Sequence, residues 1–573
     1  MISSTQSGLS RNFLPQDFTV HSWDELLPYF DELKDREITS AEELEKWLKD
    51  KSELEAALQE DMGWRYIRQT CDTANEEKKE SLLFFIRNIE PHLAEYSNIF
   101  NEKLLHNKFI QDLDEQKYFV YLRSIKKETE LFRSENIPLL TEVQALSNEY
   151  GQITGAMSVE VDGKTLTFQQ ASNYLKLPER DKRKEVYISI NQRRCLDQDK
   201  LDDLFDKLLS LRHSISLNAG YQNFRDYMFD ALGRFDYKPE NCFDFHSSVH
   251  KFIVPIIENF ERSRKNRLGY ENLYPWDLEV DPDLLPPLKP FSDGKSLIEK
   301  SALCFERVKP AYGDLIRLMD RKGHLDLESR IGKAPGGYNY PLYESALPFI
   351  FMNAAGSIRD MVTMMHEGGH AIHSWVTKDL ELTGFKHTPS EIAEVASMAM
   401  ELISMEHWDV FFPDKAELKR ARLYQLEKIL GILPWIAIVD AFQHWIYLNP
   451  NHTRQERQDQ WISLHRKYSG GIVDRSLYPE FEANGWHRQL HIFEVPFYYI
   501  EYGIAQLGAI GIWRNYKSDP AGALEKYEQA LSCGNLKTLP ELYEAAGIHF
   551  DFSGEYVQEL SEFVKKEIEI LQG

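Results

Sequence analysis

The sequence predicts a mainly α-helical protein with more than one lobe. From about residue 22 to residue 150, apolar residues recur at helical spacing in stretches rich in Glu, Lys and Leu. The chain has 573 residues, which is too many for one simple hydrophobic core and favours two or more lobes. The signals for strands are short, so we expect small β-sheets within a helical body.

The first elements in chain order are helices, followed by one β-hairpin. Ser40 and Glu43 predict a capping box at the start of a helix that runs through Trp47. Residues 158–168 alternate in polarity around Asp162 and Gly163, which predicts a hairpin. Long helices are predicted at about 179–195 and 200–217. We place a domain boundary at about residue 190, with an N-terminal helical lobe that contains the hairpin at 1–190 and a second domain at 191–573.

Composition and charge argue against several classes of protein. The net charge of −24 disfavours nucleic acid and anionic membrane surfaces as partners. The five cysteines are scattered and form no C-x-x-C pair, as is typical of a reduced intracellular protein. Residues 1–8 do not have the pattern of a signal peptide. The longest apolar run, at about 429–442, is too short to span a bilayer and contains Pro434 and Asp440. We therefore expect a cytoplasmic protein.

Residues 366–370 have the sequence His-Glu-Gly-Gly-His, which is an H-E-x-x-H motif. Ser357 and Asp360 predict the start of a helix before it. On a helix, His366 and His370 lie on the same face, one turn apart. Two neutral imidazoles in this arrangement can hold zinc, and Glu367 can serve as general base for the water that the metal activates. A chance match in a long chain is the alternative at this point.

A tetrahedral catalytic zinc site needs a third protein ligand. Thr388 and Glu391 predict a capping box for a second helix, with Pro389 at its first position. Glu394 then lies in the second turn among apolar neighbours and would face the histidines if the two helices pack as an antiparallel pair. Glu391 is typical of a solvated charge near a helix start. Glu401, two turns beyond Glu394, is either a partner of a ligand or structural, and the sequence favours a structural role.

These stretches resemble the M3 family of zinc metallopeptidases, and within it the branch of oligoendopeptidase F and Pz-peptidase. The similarity lies in the motif at 366–373, in Ala-Glu-Val-Ala-Ser at 393–397 and in the lead-in at 353–363. It implies that His366, His370 and Glu394 bind one Zn²⁺ per chain and that Glu367 is the general base. It also implies a bilobed helical zincin body, with a small β-sheet beside the motif helix and a deep substrate channel, in which 191–573 is the catalytic domain.

The resemblance implies a zinc-dependent oligoendopeptidase that hydrolyses internal bonds of short unstructured peptides. We expect such peptides as partners, and neither nucleic acid nor a membrane. Two other classes stay open. One is a zinc carboxypeptidase or dipeptidase-type hydrolase that trims peptides, and the other is a non-catalytic peptide-binding protein that retains the motif. The intact ligand set and base argue against the second alternative.

A His- and Tyr-rich segment near the C-terminus is the predicted source of hydrogen bonds to the reacting carbonyl. Such donors are needed because an oxyanion develops in a water-poor site. A proline at position 496 predicts a helix start that places Tyr498 and Tyr502 on one face. The M3 resemblance gives the donor role to His491 and to one or more of Tyr498, Tyr499 and Tyr502.

Residues 348–353 have the composition of a short buried strand that precedes the motif helix. In zinc peptidases, an edge strand beside this helix pairs with the peptide substrate. We hypothesise that residues 348–353 form this edge strand and bind the substrate backbone by β-augmentation. Phe349, Phe351 and Asn353 are then the predicted substrate-binding residues.

Overall fold

The computed structural model describes residues 11–330, 332–334 and 336–573. The prediction about a signal peptide at residues 1–8 lies outside this part of the chain. Ser40 caps the second helix as predicted, although Glu43 accepts its return hydrogen bond from the backbone of Thr39 at 2.6 Å. The N-terminal helices are α1 (Trp23–Asp35), α2 (Ala41–Cys71), α3 (Glu76–Asn88), α4 (Glu90–Leu105), α5 (Glu115–Leu131) and α6 (Asn136–Gly155).

The predicted hairpin is confirmed. Strands β1 (Ser158–Val161) and β2 (Lys164–Thr167) pair antiparallel. Asp162 and Gly163 form the turn between them with φ of 52° and 72°, as a two-residue turn with left-handed backbone requires. The two long helices predicted next are also present. The helices that follow the hairpin are α7 (Phe168–Ser172), α8 (Arg180–Cys195), α9 (Gln198–Asn218), α10 (Phe224–Ala231), α11 (Pro239–Ser248), α12 (Val254–Leu268), α13 (Gly294–Val308) and α14 (Pro310–Arg321).

A second small sheet precedes the motif helix. It contains β3 (Leu325–Glu328), β4 (Tyr338–Tyr340) and β5 (Phe349–Ala354) in the order β3-β5-β4. Strand β5 pairs parallel with β3 and antiparallel with β4. The prediction that residues 348–353 form an edge strand is therefore wrong. β5 is central because the chain before it returns as β4 and covers its free edge.

The remaining chain is helical and contains the motif. The mainly helical fold with small β-sheets is as the sequence predicts. The helices are α15 (Ile358–Val376), α16 (Thr383–Lys386), α17 (Ser390–Ser404), α18 (Lys415–Leu448), α19 (Arg454–Tyr468), α20 (Pro479–Ala483), α21 (Leu490–Glu494), α22 (Tyr499–Ser518), α23 (Pro520–Ser532), α24 (Leu539–Ala545) and α25 (Gly554–Gln572).

Two large apolar clusters form the interior. The first cluster contains buried residues between Leu14 and Ile125, together with Leu382 and Phe385. The second cluster contains buried residues between Leu146 and Ile568. Helix α18 is long and apolar enough to cross a membrane by length and composition alone, but 72% of its most apolar window is buried inside the protein. We therefore interpret α18 as a core helix of the second cluster. The domain boundary at residue 190 stays a prediction.

Helices α15 and α17 pack in close contact, which positions the site. A Cβ on Gly369 would lie 2.6 Å from Ser397 Cα and 2.8 Å from Ala396 O. Only glycine permits this approach. The two backbones therefore lie close enough for side chains from both helices to meet at one point. A Cβ on Gly368 would overlap the side-chain ring of Phe305.

The start of α17 differs from the prediction. The helix begins at Ser390 with Pro389 as its N-cap, and no side chain caps it. Glu391 is buried and accepts a hydrogen bond of 2.6 Å from the hydroxyl of Tyr237. The predicted capping box and the solvated role of Glu391 are therefore wrong, because a tyrosine from a distant loop covers this position.

Candidate metal centre

The two motif histidines and Glu394 meet between α15 and α17. The capping box of Ser357 and Asp360 starts α15 as predicted. His366 Nε2 lies 3.3 Å from Glu394 Oε2, and His370 Nε2 lies 3.7 Å from the same oxygen. One ligand atom from each residue lies within 4.8 Å of the other two. We call these three residues, His366, His370 and Glu394, the metal centre.

The donor set of the metal centre fits zinc. Zn–N and Zn–O bonds of about 2.0–2.2 Å place two tetrahedral ligands roughly 3.4 Å apart, and the measured separations of 3.3 and 3.7 Å agree with this. The histidine side chains are 19% exposed, so the centre keeps access to solvent. Three protein ligands with solvent access are typical of catalytic zinc rather than structural zinc.

The charges around the metal centre favour a cation. Burial raises the pKa of Glu394, but hydrogen bonding to His366 and the two imidazoles outweigh it and lower the pKa to about 2. Burial lowers the pKa of His370 to about 4. Burial also opposes the charged form of His366, but Glu394 and Glu401 raise its pKa well above the usual value. Two carboxylates around one imidazole therefore attract positive charge, which a metal ion can supply in place of the proton.

Glu401 holds His366 from the side away from the metal centre. Its Oε1 lies 2.7 Å from His366 Nδ1, and its Oε2 accepts a hydrogen bond of 2.7 Å from Gln425 on α18. A carboxylate in this position fixes the orientation of a ligating imidazole. The sequence favoured a structural role for Glu401, whereas the structure places its carboxylate in contact with the imidazole of His366. Asp360, at the start of the same helix as His366, accepts a hydrogen bond from the backbone of Ser357.

Glu367 is a buried carboxylate beside the metal centre. It is 6% exposed, and its Oε2 has no hydrogen-bond partner among the described residues. Burial raises the pKa of Glu367 to about 7. A buried polar atom without a partner is uncommon and needs an explanation. A carboxylate with a pKa near neutrality is also well matched to proton transfer.

The predicted His and Tyr residues gather on the other side of Glu394. The hydroxyl of Tyr498 donates to Glu394 Oε1 at 2.7 Å. His491 Nε2 lies 3.3 Å from the hydroxyl of Tyr502, and His491 Nδ1 lies 2.7 Å from Gln489 Nε2. The ring of Tyr499 packs edge-on against His491 with centroids 4.9 Å apart. The four residues therefore form one group, in which Tyr498 alone contacts a residue of the metal centre directly.

The backbone before these tyrosines is held in an uncommon conformation. The helix starts at Tyr499 rather than at position 496, and Phe497 has a φ of +68°. A bulky residue rarely adopts this left-handed conformation. Its backbone N–H donates to Gln443 Oε1 at 2.8 Å, and its carbonyl accepts from the buried guanidinium of Arg234. These contacts fix the position of Tyr498 over Glu394.

The predicted substrate-binding residues have partners within the protein. Phe349 and Phe351 are 4% and 0% exposed, and Phe351 stacks on Tyr338 with centroids 4.8 Å apart. Asn353 Nδ2 donates to the carbonyl oxygens of Ala334 and Gly336. Pairing of β5 with a substrate is not available in this sheet, because β3 and β4 occupy its two sides. The edge strands of this sheet are β3 and β4, and β4 is the one that packs beside the motif helix α15.

Gln425, Gln489 and Asn339 belong to the site and were missed by sequence analysis. Gln425 and Gln489 hydrogen-bond to Glu401 and His491, and Asn339 Nδ2 donates to the hydroxyl of Ser374 on the motif helix at 3.3 Å. Nothing local distinguishes these amides from others in the chain. Gln425 had one usable signal, which is a polar residue in a long apolar helix.

A helical body that brings an H-E-x-x-H helix against a downstream glutamate defines a metallopeptidase. The chain belongs to peptidase family M3: the model described as Peptidase family M3 matches residues 173–562, and the model of the Peptidase M3 N-terminal domain matches residues 13–132.

Relatives and solved structures agree with this assignment. The chain is 23% identical to the oligoendopeptidase F homolog of Borreliella burgdorferi over 72% of this chain and 69% of the relative. It is 22% identical to oligopeptidase PepF of Bacillus subtilis over 54% and 46% of the two chains. The structure described as Pz peptidase A with inhibitor 2 is 27% identical, with a TM-score of 0.92 over 97% of this chain and 99% of that chain. A putative oligoendopeptidase F is 25% identical, with a TM-score of 0.91 over 98% and 99%. The chain therefore falls in the oligoendopeptidase F branch of the family.

Proposed function

We propose that this metallopeptidase is a zinc-dependent oligoendopeptidase that hydrolyses internal bonds of short unstructured peptides. The observation that carries the proposal is the unpartnered Oε2 of Glu367 beside the ligand atoms of His366, His370 and Glu394. A structural metal site needs no buried base next to it, whereas hydrolysis does.

His366, His370 and Glu394 would hold one zinc ion per chain. When bound, zinc supplies Lewis acidity, which polarises the scissile carbonyl and makes water a better nucleophile at neutral pH. Glu401 keeps the imidazole of His366 turned toward the ion. Tyr498 does the same for the carboxylate of Glu394 through its hydrogen bond to Oε1.

Glu367 moves the proton. Its free Oε2 takes a proton from the water that attacks the carbonyl carbon and later donates it to the leaving amine. The pKa of about 7 suits both steps, because the carboxylate accepts and returns the proton near neutral pH.

His491 and Tyr502 form a pair that provides a hydrogen bond to the developing oxyanion. Burial lowers the pKa of His491 to about 4, so its imidazole is neutral at pH 7. The pair is joined at 3.3 Å, and one donor of the pair is free to turn toward the substrate. Tyr499 packs against His491 and limits its rotation. Tyr498 donates to Glu394 and acts as a positioning residue, which leaves Tyr502 as the tyrosine that contacts the substrate.

The outer edge of β4 would bind the peptide backbone. β4 runs beside α15, and a Cβ on Gly337, which precedes β4, would lie 3.7 Å from Glu367 Oε1. A peptide added at this edge has its carbonyl groups aligned with the strand and passes the metal centre. An extended peptide fits this mode and a folded protein does not.

We place the protein in the cytoplasm, where its net charge of −24 disfavours binding to nucleic acid and to anionic membranes.

The test combines metal analysis with cleavage of peptides of mixed length. We expect activity on an internally quenched peptide to disappear with a chelator and to return with Zn²⁺, and mass spectrometry to show internal cleavage. Release of one or two residues from the C-terminus would instead identify a carboxypeptidase. Peptide binding with no cleavage in the zinc-loaded protein would identify a binding protein.

A further inference from the structure

A second group of metal-binding side chains lies between α11 and α18. Cys242 and His246 are four residues apart on α11, and Asp440 and His444 are four residues apart on α18. This spacing places each pair on one face of its helix. Two facing helices that each contribute such a pair form a common geometry for metal sites in helical proteins. We call these four residues the buried cluster.

The distances in the buried cluster suit a metal ion. One ligand atom each from Cys242, Asp440 and His444 lies within 4.8 Å of the other two. His444 Nε2 lies 3.3 Å from Asp440 Oδ2. His246 Nε2 lies 2.8 Å from the same oxygen. The buried cluster therefore contains a thiol, a carboxylate and an imidazole at one point, with a second imidazole behind the carboxylate.

Two atoms of the buried cluster have no hydrogen-bond partner within the described part of the chain. They are Oδ1 of Asp440, a residue that is 0% exposed, and Nδ1 of His444, whose Nε2 lies 3.3 Å from Asp440 Oδ2. His444 itself is 3% exposed. Buried polar atoms are nearly always satisfied, so two open positions in adjacent side chains need an explanation. A metal ion would bind Oδ1 of Asp440 and the one nitrogen of His444 whose lone pair faces it.

We propose that Cys242, Asp440 and His444 bind a second divalent metal ion, with Zn²⁺ as the best match, and that His246 orients Asp440. Zinc accepts thiolate, imidazole and carboxylate ligands together. One thiolate and one carboxylate cancel the charge of a divalent ion, so the occupied cluster is neutral in an apolar interior. His246 holds Oδ2 of the carboxylate by a hydrogen bond and leaves Oδ1 free for the ion.

The surroundings indicate a structural role for this ion. Aromatic rings of Phe243 and Phe497 pack against His444, with centroids 4.9 and 5.3 Å away. The metal would join α11 to α18, and it would lie next to Phe497, whose left-handed backbone precedes the tyrosines of the site. The buried cluster contains no further carboxylate that resembles Glu367, so no base for hydrolysis is present among its four residues.

The experiment uses the full chain produced in minimal medium that contains Co²⁺. The metal centre offers nitrogen and oxygen ligands alone, so a near-ultraviolet charge-transfer band from thiolate to Co²⁺ can arise only where a cysteine binds the ion. We expect this band and about two metal ions per chain. Cys242→Ser should lose the band and one ion, whereas Cys304→Ser, a change at another fully buried cysteine, should keep both.

Two further variants keep the proposal testable if Cys242→Ser fails to fold. Glu394→Ala should lose the ion of the metal centre and keep the thiolate band. His246→Ala should keep the band at saturating Co²⁺ and weaken metal affinity at this cluster by about 10–100-fold. A wild-type protein with about one ion and no thiolate band would overturn the proposal, as would a thiolate band that survives in Cys242→Ser.

Discussion

The metal centre and the buried cluster share a construction and differ in access to solvent. In each, one helix supplies two candidate ligands four residues apart and a facing helix supplies the third. The histidines of the metal centre are 19% exposed, whereas the side chains of His444 and Asp440 are 4% and 0% exposed. The metal centre has a free carboxylate oxygen on Glu367 beside it, and the buried cluster has aromatic rings around His444.

Because the two groups share their ligand geometry, that geometry alone does not assign a catalytic role. An ion that is enclosed on all sides can stabilise a fold, but it cannot admit a substrate. The metal centre combines solvent access with a buried, unpartnered carboxylate oxygen on Glu367. The predictions below therefore treat the two groups as independent and ask whether a change at the metal centre leaves the buried cluster intact.

The largest effect is expected from Glu394→Ala. Removal of one of three ligands should abolish zinc binding at the metal centre, and with it all measurable peptide hydrolysis. The check is elemental analysis together with the quenched-peptide assay. The matched control is Glu391→Gln, three residues earlier on the same buried face, which should keep its zinc. Full zinc content and activity in Glu394→Ala would mean that another residue is the third ligand.

The next effect is expected from Glu367→Gln. The amide keeps the size of the side chain and cannot take a proton, so kcat should fall by about 10²–10⁴-fold. Zinc content should stay unchanged, because Glu367 does not belong to the ligand set. Single-turnover kinetics with zinc-loaded protein measures the effect. Turnover equal to that of the wild type would remove Glu367 from the role of base.

The metal centre could be predicted from sequence because most of its information is local. The spacing of His366 and His370 within one helix brings them together, and the capping box at Ser357 fixes where that helix begins. Glu394 followed from the family resemblance and from its apolar neighbours. The hairpin turn at Asp162 and Gly163 was predictable for the same reason, since its backbone conformation depends on two residues.

The errors arose where distant segments decide the outcome. β5 is a central strand because β4 folds back onto it from a loop, and the apolar composition of β5 does not show which side is covered. Glu391 is buried because Tyr237, 154 residues away, reaches it. Glu401 contacts His366 only because α15 and α17 pack in close contact at Gly369. Tertiary contacts of this kind leave no periodic signal in the sequence.

A smaller effect is expected from Tyr502→Phe. The phenyl ring keeps its packing against His491 and Tyr498, and the loss of the hydroxyl should lower kcat by about 10²–10³-fold with little change in KM. Tyr499→Phe is the matched control, because its ring also packs edge-on against His491, with centroids 4.9 Å apart compared with 5.6 Å for Tyr502, and is assigned a packing role. A larger loss in Tyr499→Phe than in Tyr502→Phe would exchange the roles of the two residues.

The smallest effect is expected from Glu401→Gln. The side chain keeps its shape and loses the charge that orients His366, so zinc affinity should weaken by about 10–100-fold in a chelator competition. Activity should recover at saturating Zn²⁺, because Glu401 touches neither substrate nor attacking water. Gln425→Ala removes the hydrogen bond to the other oxygen of Glu401 and should act in the same direction with a smaller magnitude. If Glu401→Gln lost activity even when saturated with zinc, Glu401 would take part in the reaction itself, and the metal centre would be larger than its three ligands and one base. The thiolate band of the buried cluster should be unaffected by either change, since neither residue belongs to that cluster.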